Sequence, residues 1–421
     1  MNIKRYALAL IGFAITAPGT LISGDYYADS GKSSYSGKSA YEAPGAGLLQ
    51  ESPYKLSLYG GASAVYNSNT TQLSNGTGAW MGVFDYGVAF ASGDEGARGV
   101  VYGFNYDGNA YWYENSAAAA GRDPLEHYVG GFFGLNGGKT RFRLDTNYYR
   151  NNGNSIEFSG IDREARNAQS HDYRIDASVV RDLDRGSIEF GGGYFMRDFD
   201  SGTLLNDQNS YYGDFAFFHK PIFAPKSSLG VGLRVGTDDF TGNVNQDTIA
   251  PSFRWRYQAS AKTTAYGSMG YESRSNATST GGDSENFVYD VGVAWAVSDK
   301  TSLDFYAART VRPSSSGVSQ DYTSDAFILT ISHDLPGQFQ LAANVGYENA
   351  DYFSSGAGTV IANLREDDFL RLGVSLSHPV RLCESVGGVM SVFYNYNEND
   401  SNLAIASFDQ SIAGVRFGVT Y

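Results

Sequence analysis

The sequence contains little cysteine and proline, and it lacks a long apolar run. Cys383 is the one cysteine among 421 residues, so no disulfide can form within the chain. We expect this cysteine to lie in a short turn as a small residue, the alternative being a reactive thiol. After residue 17 no apolar stretch reaches the about 18 residues that a membrane helix needs, which excludes helical spans. The net charge of -14 argues against nucleic-acid binding, which requires a basic surface.

Glycine and aromatic residues are abundant instead. The chain has 51 Gly, 31 Tyr and 26 Phe against 10 Pro, a composition typical of strands joined by turns. Trp80, Trp112, Trp255 and Trp295 fall near predicted strand ends, as in the aromatic girdles of membrane barrels. The composition is uniform from Tyr54 onward and contains no linker. It therefore predicts one closed barrel rather than the two or more domains expected of a soluble β-sandwich of this length.

The N-terminal region has the layout of a secretory signal peptide. Two basic residues precede an apolar run over 6–17, which is too short to span a membrane and is followed by small and polar residues. We predict a signal peptide over 1–24, a flexible periplasmic segment over 25–52 and a transmembrane barrel over 53–421. A buried N-terminal helix is the alternative for the first segment, and partial occlusion of the lumen is the alternative for the second.

The C-terminal residues alternate in the manner of a strand. Apolar residues occupy every second position of 413–421, and the sequence ends on an aromatic residue. An outer-membrane barrel needs such a strand because its last strand must pair with its first and leave no open edge in lipid. Phe417, Val419 and Tyr421 also resemble the terminal signature that barrel-assembly machinery recognises. The alternative is an edge strand of a soluble β protein.

One unit repeats along the chain: a strand, a short turn, a second strand and a longer loop. The predicted short turns are 92–98, 136–139, 181–186, 221–227, 259–262, 297–300, 335–337 and 378–386. The predicted long loops include 67–79, 114–126, 151–170, 275–283, 312–320 and 353–365. Short turns at one end and long loops at the other are typical of bacterial outer-membrane barrels. The count predicts an all-β, antiparallel up-and-down barrel of about 18 strands, with 16 as the alternative.

The two faces of the predicted strands differ in polarity. Phe253, Trp255 and Tyr257, for example, alternate with Arg254 and Arg256. A barrel of about 16–18 strands is too wide for side chains to fill, so its interior holds water. We therefore expect the apolar face to meet lipid and the charged face to line an aqueous lumen.

With these features the chain resembles a Gram-negative outer-membrane β-barrel porin, most closely the putative beta-barrel porin families. The likeness rests on the N-terminal segment, the strand rhythm, the opening strand 54–59 and the terminal Tyr421, and it covers nearly the whole mature chain. It implies passive diffusion of small hydrophilic solutes, with neither cofactor nor enzymatic activity, and it leaves the solute open. It also implies outer-membrane lipid, lipopolysaccharide, periplasmic chaperones and the assembly machinery as partners. The alternative function is a non-conducting barrel that serves as an adhesin or in surface-polysaccharide export.

Strand parity places a set of charged residues on the expected lumen face. The predicted pore-lining residues are Arg141, Arg143, Asp145, Arg174, Asp176, Arg197, Arg234, Arg254, Arg256, Arg371 and Arg416, and further carboxylates of the same parity are Glu189, Asp214, Asp290 and Asp304. One interpretation is a solvated wall with local ion pairs. The other is a contiguous basic wall on the strands near the middle of the chain, which favours weak selectivity leaning to anions.

The loop 151–170 is the candidate constriction. It carries Glu157, Asp162 and Glu164, and the third external loop of general porins folds into the lumen. The alternative is an outward surface loop in which Arg163 and Arg166 neutralise these acids.

The sequence offers no convincing catalytic or metal site. The five histidines are scattered over strand ends and turns, and none forms a recognisable triad. The acidic segment 236–247 lacks the ligand spacing of a defined calcium loop. We therefore predict neither a catalytic centre nor a bound metal.

Overall fold

In the computed structural model, eighteen strands form one closed antiparallel sheet. The structure describes residues 54–93, 98–115, 118, 122–153, 168–200, 205–241, 245–276, 283–314, 320–354, 365–383 and 386–421. The strands are β1 (Tyr54–Asn67), β2 (Ala79–Ser92), β3 (Gly99–Tyr113), β4 (Leu125–Asn136), β5 (Thr140–Asn151), β6 (Ser170–Leu183), β7 (Gly186–Phe199), β8 (Gln208–His219), β9 (Ser227–Phe240), β10 (Gln246–Ser260), β11 (Thr263–Asn276), β12 (Ser284–Ser298), β13 (Thr301–Pro313), β14 (Gln320–Asp334), β15 (Gln340–Ser354), β16 (Glu366–Arg381), β17 (Gly387–Ser401) and β18 (Phe408–Thr420).

Each strand pairs with its neighbours in the chain, and β1 also pairs with β18. The pairing of β1 with β18 runs from Tyr59 opposite Thr420 to Asn67 opposite Ile412. This seam closes the sheet, so backbone donors and acceptors find partners all around the ring. The predicted up-and-down barrel of 18 strands is confirmed, and the alternative of 16 is wrong.

The two ends of the barrel differ in the length of their connections. At one end, which we call the turn end, the strands are joined by short turns such as 137–139 between β4 and β5. At the other, the loop end, they are joined by longer segments such as 68–78 between β1 and β2. At the turn end between β14 and β15 a single helical turn, Pro336–Gln338, uses glycine at Gly337 because φ is 78° there. Within the described residues, no helix is long and apolar enough to cross a membrane.

The outward face of the barrel is apolar and aromatic. Trp80 and Trp112 are 51% and 65% exposed near the loop end, and Trp295 is 44% exposed near the turn end. Between these rings the strands expose alternate aliphatic residues, for example Leu229 and Val231 in β9. This is the distribution that lipid requires, with aromatic side chains at both interfaces and aliphatic ones between them.

Several predictions made from the sequence concern residues at the margins of the barrel. The predicted signal peptide 1–24 and the periplasmic segment 25–52 lie outside the described residues and stay predictions. Cys383 is exposed in the connection between β16 and β17 at the turn end. Of the predicted assembly signal, Phe417 and Tyr421 are 40% and 42% exposed, and Val419 is half-buried.

Candidate functional site: the barrel lumen

The eleven predicted pore-lining residues stay predictions as pore-lining groups; the burial pattern places them on the strand face opposite the more exposed residues, which we take as the inward face. Along β10, for example, the guanidinium-bearing Arg254 is 5% exposed, whereas the preceding Phe253 is 43% exposed on the outside. The cross-strand register brings the inward residues of neighbouring strands side by side, as with Asp145 opposite Asp176 on β5 and β6. The alternation of side chains along each strand therefore decides which charged residues face inward. These residues are concentrated on β5 to β10.

Seven of the nine predicted arginines lie within 4 Å of a carboxylate. The ion pairs among the predicted set and its neighbours are Arg141–Asp182 (2.5 Å), Arg143–Asp145 (2.7 Å), Arg174–Asp176 (2.5 Å), Arg197–Asp172 (2.8 Å), Arg254–Asp214 (2.6 Å), Arg256–Glu189 (2.7 Å) and Arg371–Glu348 (3.8 Å). The structure thus shows a wall of local ion pairs, and the interpretation as a one-sided basic wall needs correction. Each paired arginine lies within a few ångströms of a carboxylate. The negative charge cancels most of the electric field of the arginine at longer range.

The pair Arg254–Asp214 is almost completely buried. The guanidinium donates two hydrogen bonds to the carboxylate, at 2.8 and 2.6 Å, and the two side chains are 6% and 1% exposed. The residues lie on β10 and β8, so the arginine reaches across β9. It passes over Gly232, where a Cβ atom would stand 2.2 Å from Arg254 Nε. The glycine lets the guanidinium lie flat on the wall rather than project into the lumen.

The side chain of Arg256 also reaches over neighbouring strands, in this case over β9 and β8. Its guanidinium donates to both oxygens of Glu189, at 2.7 and 2.9 Å, from β10 to β7. On the way it lies over the ring of Phe218, 3.9 Å from the ring centroid. The cation–π contact and the bidentate geometry both favour a fixed, flat guanidinium.

A third group of residues connects β6, β8 and β9. Arg174 donates to Asp176, and Tyr212 donates its hydroxyl hydrogen to the same carboxylate. The ring of Tyr212 in turn lies under Arg234, whose guanidinium carbon is 4.4 Å from the ring centroid. These contacts extend the flat polar lining across the neighbouring strands.

Arg371 and Arg416 lie on the other side of the barrel. Arg371 stacks over Phe369 at 4.3 Å in addition to its contact with Glu348. Arg416 donates to Ser63 across the seam, at 3.2 Å. The strand between them, β17, carries uncharged residues on this face, among them Asn395 and Asn397.

Burial of the inward face changes along the barrel axis. On β14 to β16 the inward residues near the loop end are buried, among them Tyr322 (2% exposed) and Phe369 (1%). Inward residues near the turn end, such as Asp304 on β13 and Ser332 on β14, keep more of their surface accessible. On this side of the barrel the inward face is therefore more accessible towards the turn end, whereas on β7 and β8 Glu189 and Phe218 are buried near the turn end as well.

Sequence reasoning missed several residues of the lumen. It overlooked Asp172, Asp182 and Glu348 as partners of the arginines, although their parity is the same. It also did not identify the buried inward-facing Gln410. The predicted constriction residues Glu157, Asp162 and Glu164 lie outside the described residues. Among the described residues, no group of three or more His, Cys, Asp or Glu is arranged to hold a metal ion.

Comparison with known proteins gives one sequence family and several solved structures. The profile of the family described as Putative beta-barrel porin 2 matches residues 256–421, from the second half of β10 to the last residue. Among curated proteins, none is significantly similar in sequence.

The solved structures that resemble the chain do so at low identity, and they include the following three proteins. Pseudomonas aeruginosa OpdK with vanillate has 12% identity and a TM-score of 0.44, covering 87% of this chain and 99% of that one. P. aeruginosa OccK2 (OpdF) in complex with glucuronate has 10% identity and a TM-score of 0.45, covering 89% and 99%. Acinetobacter baumannii OccAB4 has 10% identity and a TM-score of 0.46, covering 88% and 99%. These values are too low to assign a substrate to this chain.

The family match and the barrel agree with the resemblance drawn from the residues. The match covers the C-terminal strands, and the closed sheet continues the same strand and turn pattern through β1 to β9. The chain is thus a closed β-barrel of 18 strands whose C-terminal strands carry the sequence pattern of the Putative beta-barrel porin 2 family.

Proposed function

We propose that this protein is a diffusion channel of the Gram-negative outer membrane for small hydrophilic solutes. The single observation that carries the proposal is the polarity of the closed sheet, apolar outside and polar inside. A barrel of 18 strands encloses more space than its own side chains fill, and that space is aqueous when the wall is polar. On this proposal the turn end faces the periplasm and the loop end faces the medium.

The arrangement of the lumen charges supports weak ion selectivity. Each ion pair presents a dipole to the permeating solute rather than a net charge, and a dipole field falls off faster with distance than that of a charge. The flat guanidinium groups over Gly232 and Phe218 also leave the lumen wider than extended arginines would. The channel therefore accepts small polar solutes with little regard to the sign of their charge.

The decisive measurement is conductance of the refolded protein in a planar lipid bilayer. We expect discrete, ohmic steps, and a small reversal potential in a KCl gradient. A correctly folded barrel that gives no steps would contradict the channel and favour the non-conducting alternative, an adhesin or a part of surface-polysaccharide export.

The route to the membrane forms part of the proposal. We propose that residues 1–24 direct export to the periplasm, where chaperones and the assembly machinery receive the chain. The outward Phe417, Val419 and Tyr421 are the proposed assembly signal. The exposed aromatic rings at both ends fit contact with lipid and, at the loop end, with lipopolysaccharide.

A further inference from the structure

One connection at the turn end is longer and more apolar than its neighbours. It comprises residues 220–226 between β8 and β9 and has the sequence Lys-Pro-Ile-Phe-Ala-Pro-Lys. The connections on either side, 184–185 and 261–262, have two residues each, which is sufficient for a tight hairpin. The additional residues of the turn 220–226 are therefore not needed to join the strands.

The tip of this turn is formed by two apolar residues in succession. Ile222 and Phe223 are 76% and 87% exposed. For comparison, Trp112 is 65% exposed and is the most exposed aromatic residue on the described strands. Apolar surface in water costs free energy unless something covers it, and adjacent exposed apolar side chains are typical of interaction sites.

The tip lies on the aqueous side of the lipid-facing band. Tyr257 on β10 faces outward with 42% exposure, near the turn end where aromatic residues meet the membrane interface. It pairs with Ser227, the first residue of β9. The turn 220–226 continues from there away from the membrane centre, by about 3.3 Å per extended residue. Lipid therefore does not cover Phe223.

The turn is held in one shape by hydrogen bonds and prolines. The backbone nitrogen of Lys220 donates to the oxygen of Arg185 at 3.0 Å, and the oxygen of Lys226 accepts from the nitrogen of Gln258 at 2.9 Å. Two further backbone hydrogen bonds close the turn itself, at 3.2 and 2.9 Å, and its two prolines fix φ. A tip that is ordered in advance loses little conformational entropy on binding.

Positive charge surrounds the tip. Arg185, Lys220 and Lys226 are exposed, and within the described part of the chain none of the three forms an ion pair with a carboxylate. The nearby Asp184 is instead paired with Lys139, at 3.3 Å. Three uncompensated positive charges thus border the tip on a chain whose net charge is -14. Complementarity of charge favours a partner with carboxylates around its binding site.

We propose that the turn 220–226 docks on a periplasmic protein that has an apolar pocket for Ile222 and Phe223 and carboxylates on the rim of that pocket. Burial of the two apolar side chains supplies affinity, and the surrounding positive charges orient the partner and accelerate association. The inference goes beyond the channel function and rests only on the proposed orientation, with the turn end in the periplasm.

The position of the tip relative to lipid can be measured by fluorescence quenching. In a Cys383→Ser background, Phe223→Cys and Val231→Cys each carry a bimane label, where Val231 is an outward residue of β9 with 57% exposure. In vesicles of dibrominated phosphatidylcholine, the label at position 231 should be strongly quenched and that at position 223 only weakly. Equal quenching at the two positions would place the tip in lipid and overturn the proposal.

The contact can be captured in cells by replacing Phe223 with the photoreactive p-benzoylphenylalanine in the full chain. The control is the same replacement of Lys300, an exposed residue in the turn between β12 and β13. We expect a protein adduct at position 223 that is absent at position 300 and that forms on barrels with the heat-modifiable migration of the folded state. No adduct at position 223, the same adducts at both positions, or an adduct confined to unfolded chains would overturn the proposal.

The protein identified in the adduct is then purified and titrated against the refolded barrel in detergent. Phe223→Ser should weaken binding by roughly tenfold or more, because one buried phenylalanine is lost. Lys220→Glu should weaken it by a factor that shrinks as the salt concentration rises. The matched control is Phe339→Ser in the connection between β14 and β15, 40% exposed, which should leave the affinity unchanged. Equal affinities of the wild type and Phe223→Ser would overturn the docking site.

The outcomes separate this proposal from the channel. A barrel that conducts but forms no adduct at Phe223 would overturn the docking and leave the channel intact. A folded barrel that does not conduct but forms the adduct would overturn the channel and support the docking.

Discussion

At the scale of the residue, the charged side chains of the lumen affect stability and ion selectivity as pairs. Asp214 and Arg254 are both buried, so removing either charge leaves the other without its partner in a region of low dielectric constant. Asp214→Asn should shift the reversal potential in a KCl gradient towards anions, and Arg254→Gln should shift it towards cations. Each variant should also lower the free energy of unfolding by about 3–5 kcal/mol, measured by urea titration in detergent.

The control for this prediction is an exposed ion pair of the same type. Lys139 and Asp184 lie in turns at the turn end, 3.3 Å apart, with side chains 67% and 94% exposed. Asp184→Asn should leave both the reversal potential and the unfolding free energy nearly unchanged, since solvent screens such pairs. Shifts of the same sign in Asp214→Asn and Arg254→Gln would show that this pair does not act on permeating ions.

Gly232 determines where the guanidinium of Arg254 lies. A Cβ at position 232 would stand 2.2 to 2.5 Å from three atoms of that guanidinium, so Gly232→Ala should push the arginine off Asp214 and into the lumen. The expected result is a lower single-channel conductance with a shift towards anions. Gly213→Ala on the neighbouring strand is the matched control, because its nearest atom is 3.6 Å away, at ordinary contact distance. Equal behaviour of the two variants would contradict the role assigned to Gly232.

At the scale of the element, most ends of the strands followed from the sequence, whereas the partners of the side chains did not. The predicted turns 181–186 and 378–386 began too early, because β6 continues to Leu183 and β16 to Arg381. The predicted turn 136–139 coincides with the observed end of β4 at Asn136 and the start of β5 at Thr140. Asn and Gly residues at the breaks, and strict alternation between them, were sufficient signals. The pair Arg256–Glu189 joins residues 67 positions apart across two intervening strands. Such a contact depends on the pairing register of four strands and on which residues between the two partners are small. The alternation of polar and apolar residues along one strand shows neither.

The cluster of buried apolar residues Val65, Met81, Val83, Tyr111 and Ile412 had no such signal in the sequence, because its members are spread over four strands. Only the pairing of β1 with β18 brings Ile412 close to Val65.

The seam between β1 and β18 ends on Tyr421, which gives a prediction for this element. The backbone nitrogen of Leu58 donates to the oxygen of Tyr421 at 3.0 Å, and that of Tyr421 donates to the oxygen of Leu58 at 2.8 Å. Deleting Tyr421 removes both bonds and an outward aromatic side chain, so the fraction of chains assembled into a heat-modifiable barrel should fall sharply. Tyr421→Phe keeps the backbone bonds and the ring, and should assemble normally. Normal assembly of the deletion variant would show that the terminal residue is dispensable.

At the scale of the whole molecule, closure makes the barrel resistant to denaturation. Every strand pairs on both sides, so no strand can leave the sheet without breaking two ladders of hydrogen bonds. We therefore expect the unboiled protein in SDS to migrate as a compact species that shifts only after boiling. Circular dichroism in detergent should show a dominant β signal that is lost over the same range of temperature as the shift. Identical migration before and after boiling, together with a weak β signal, would contradict the closed barrel, because an open sheet frays from its edges and unfolds gradually.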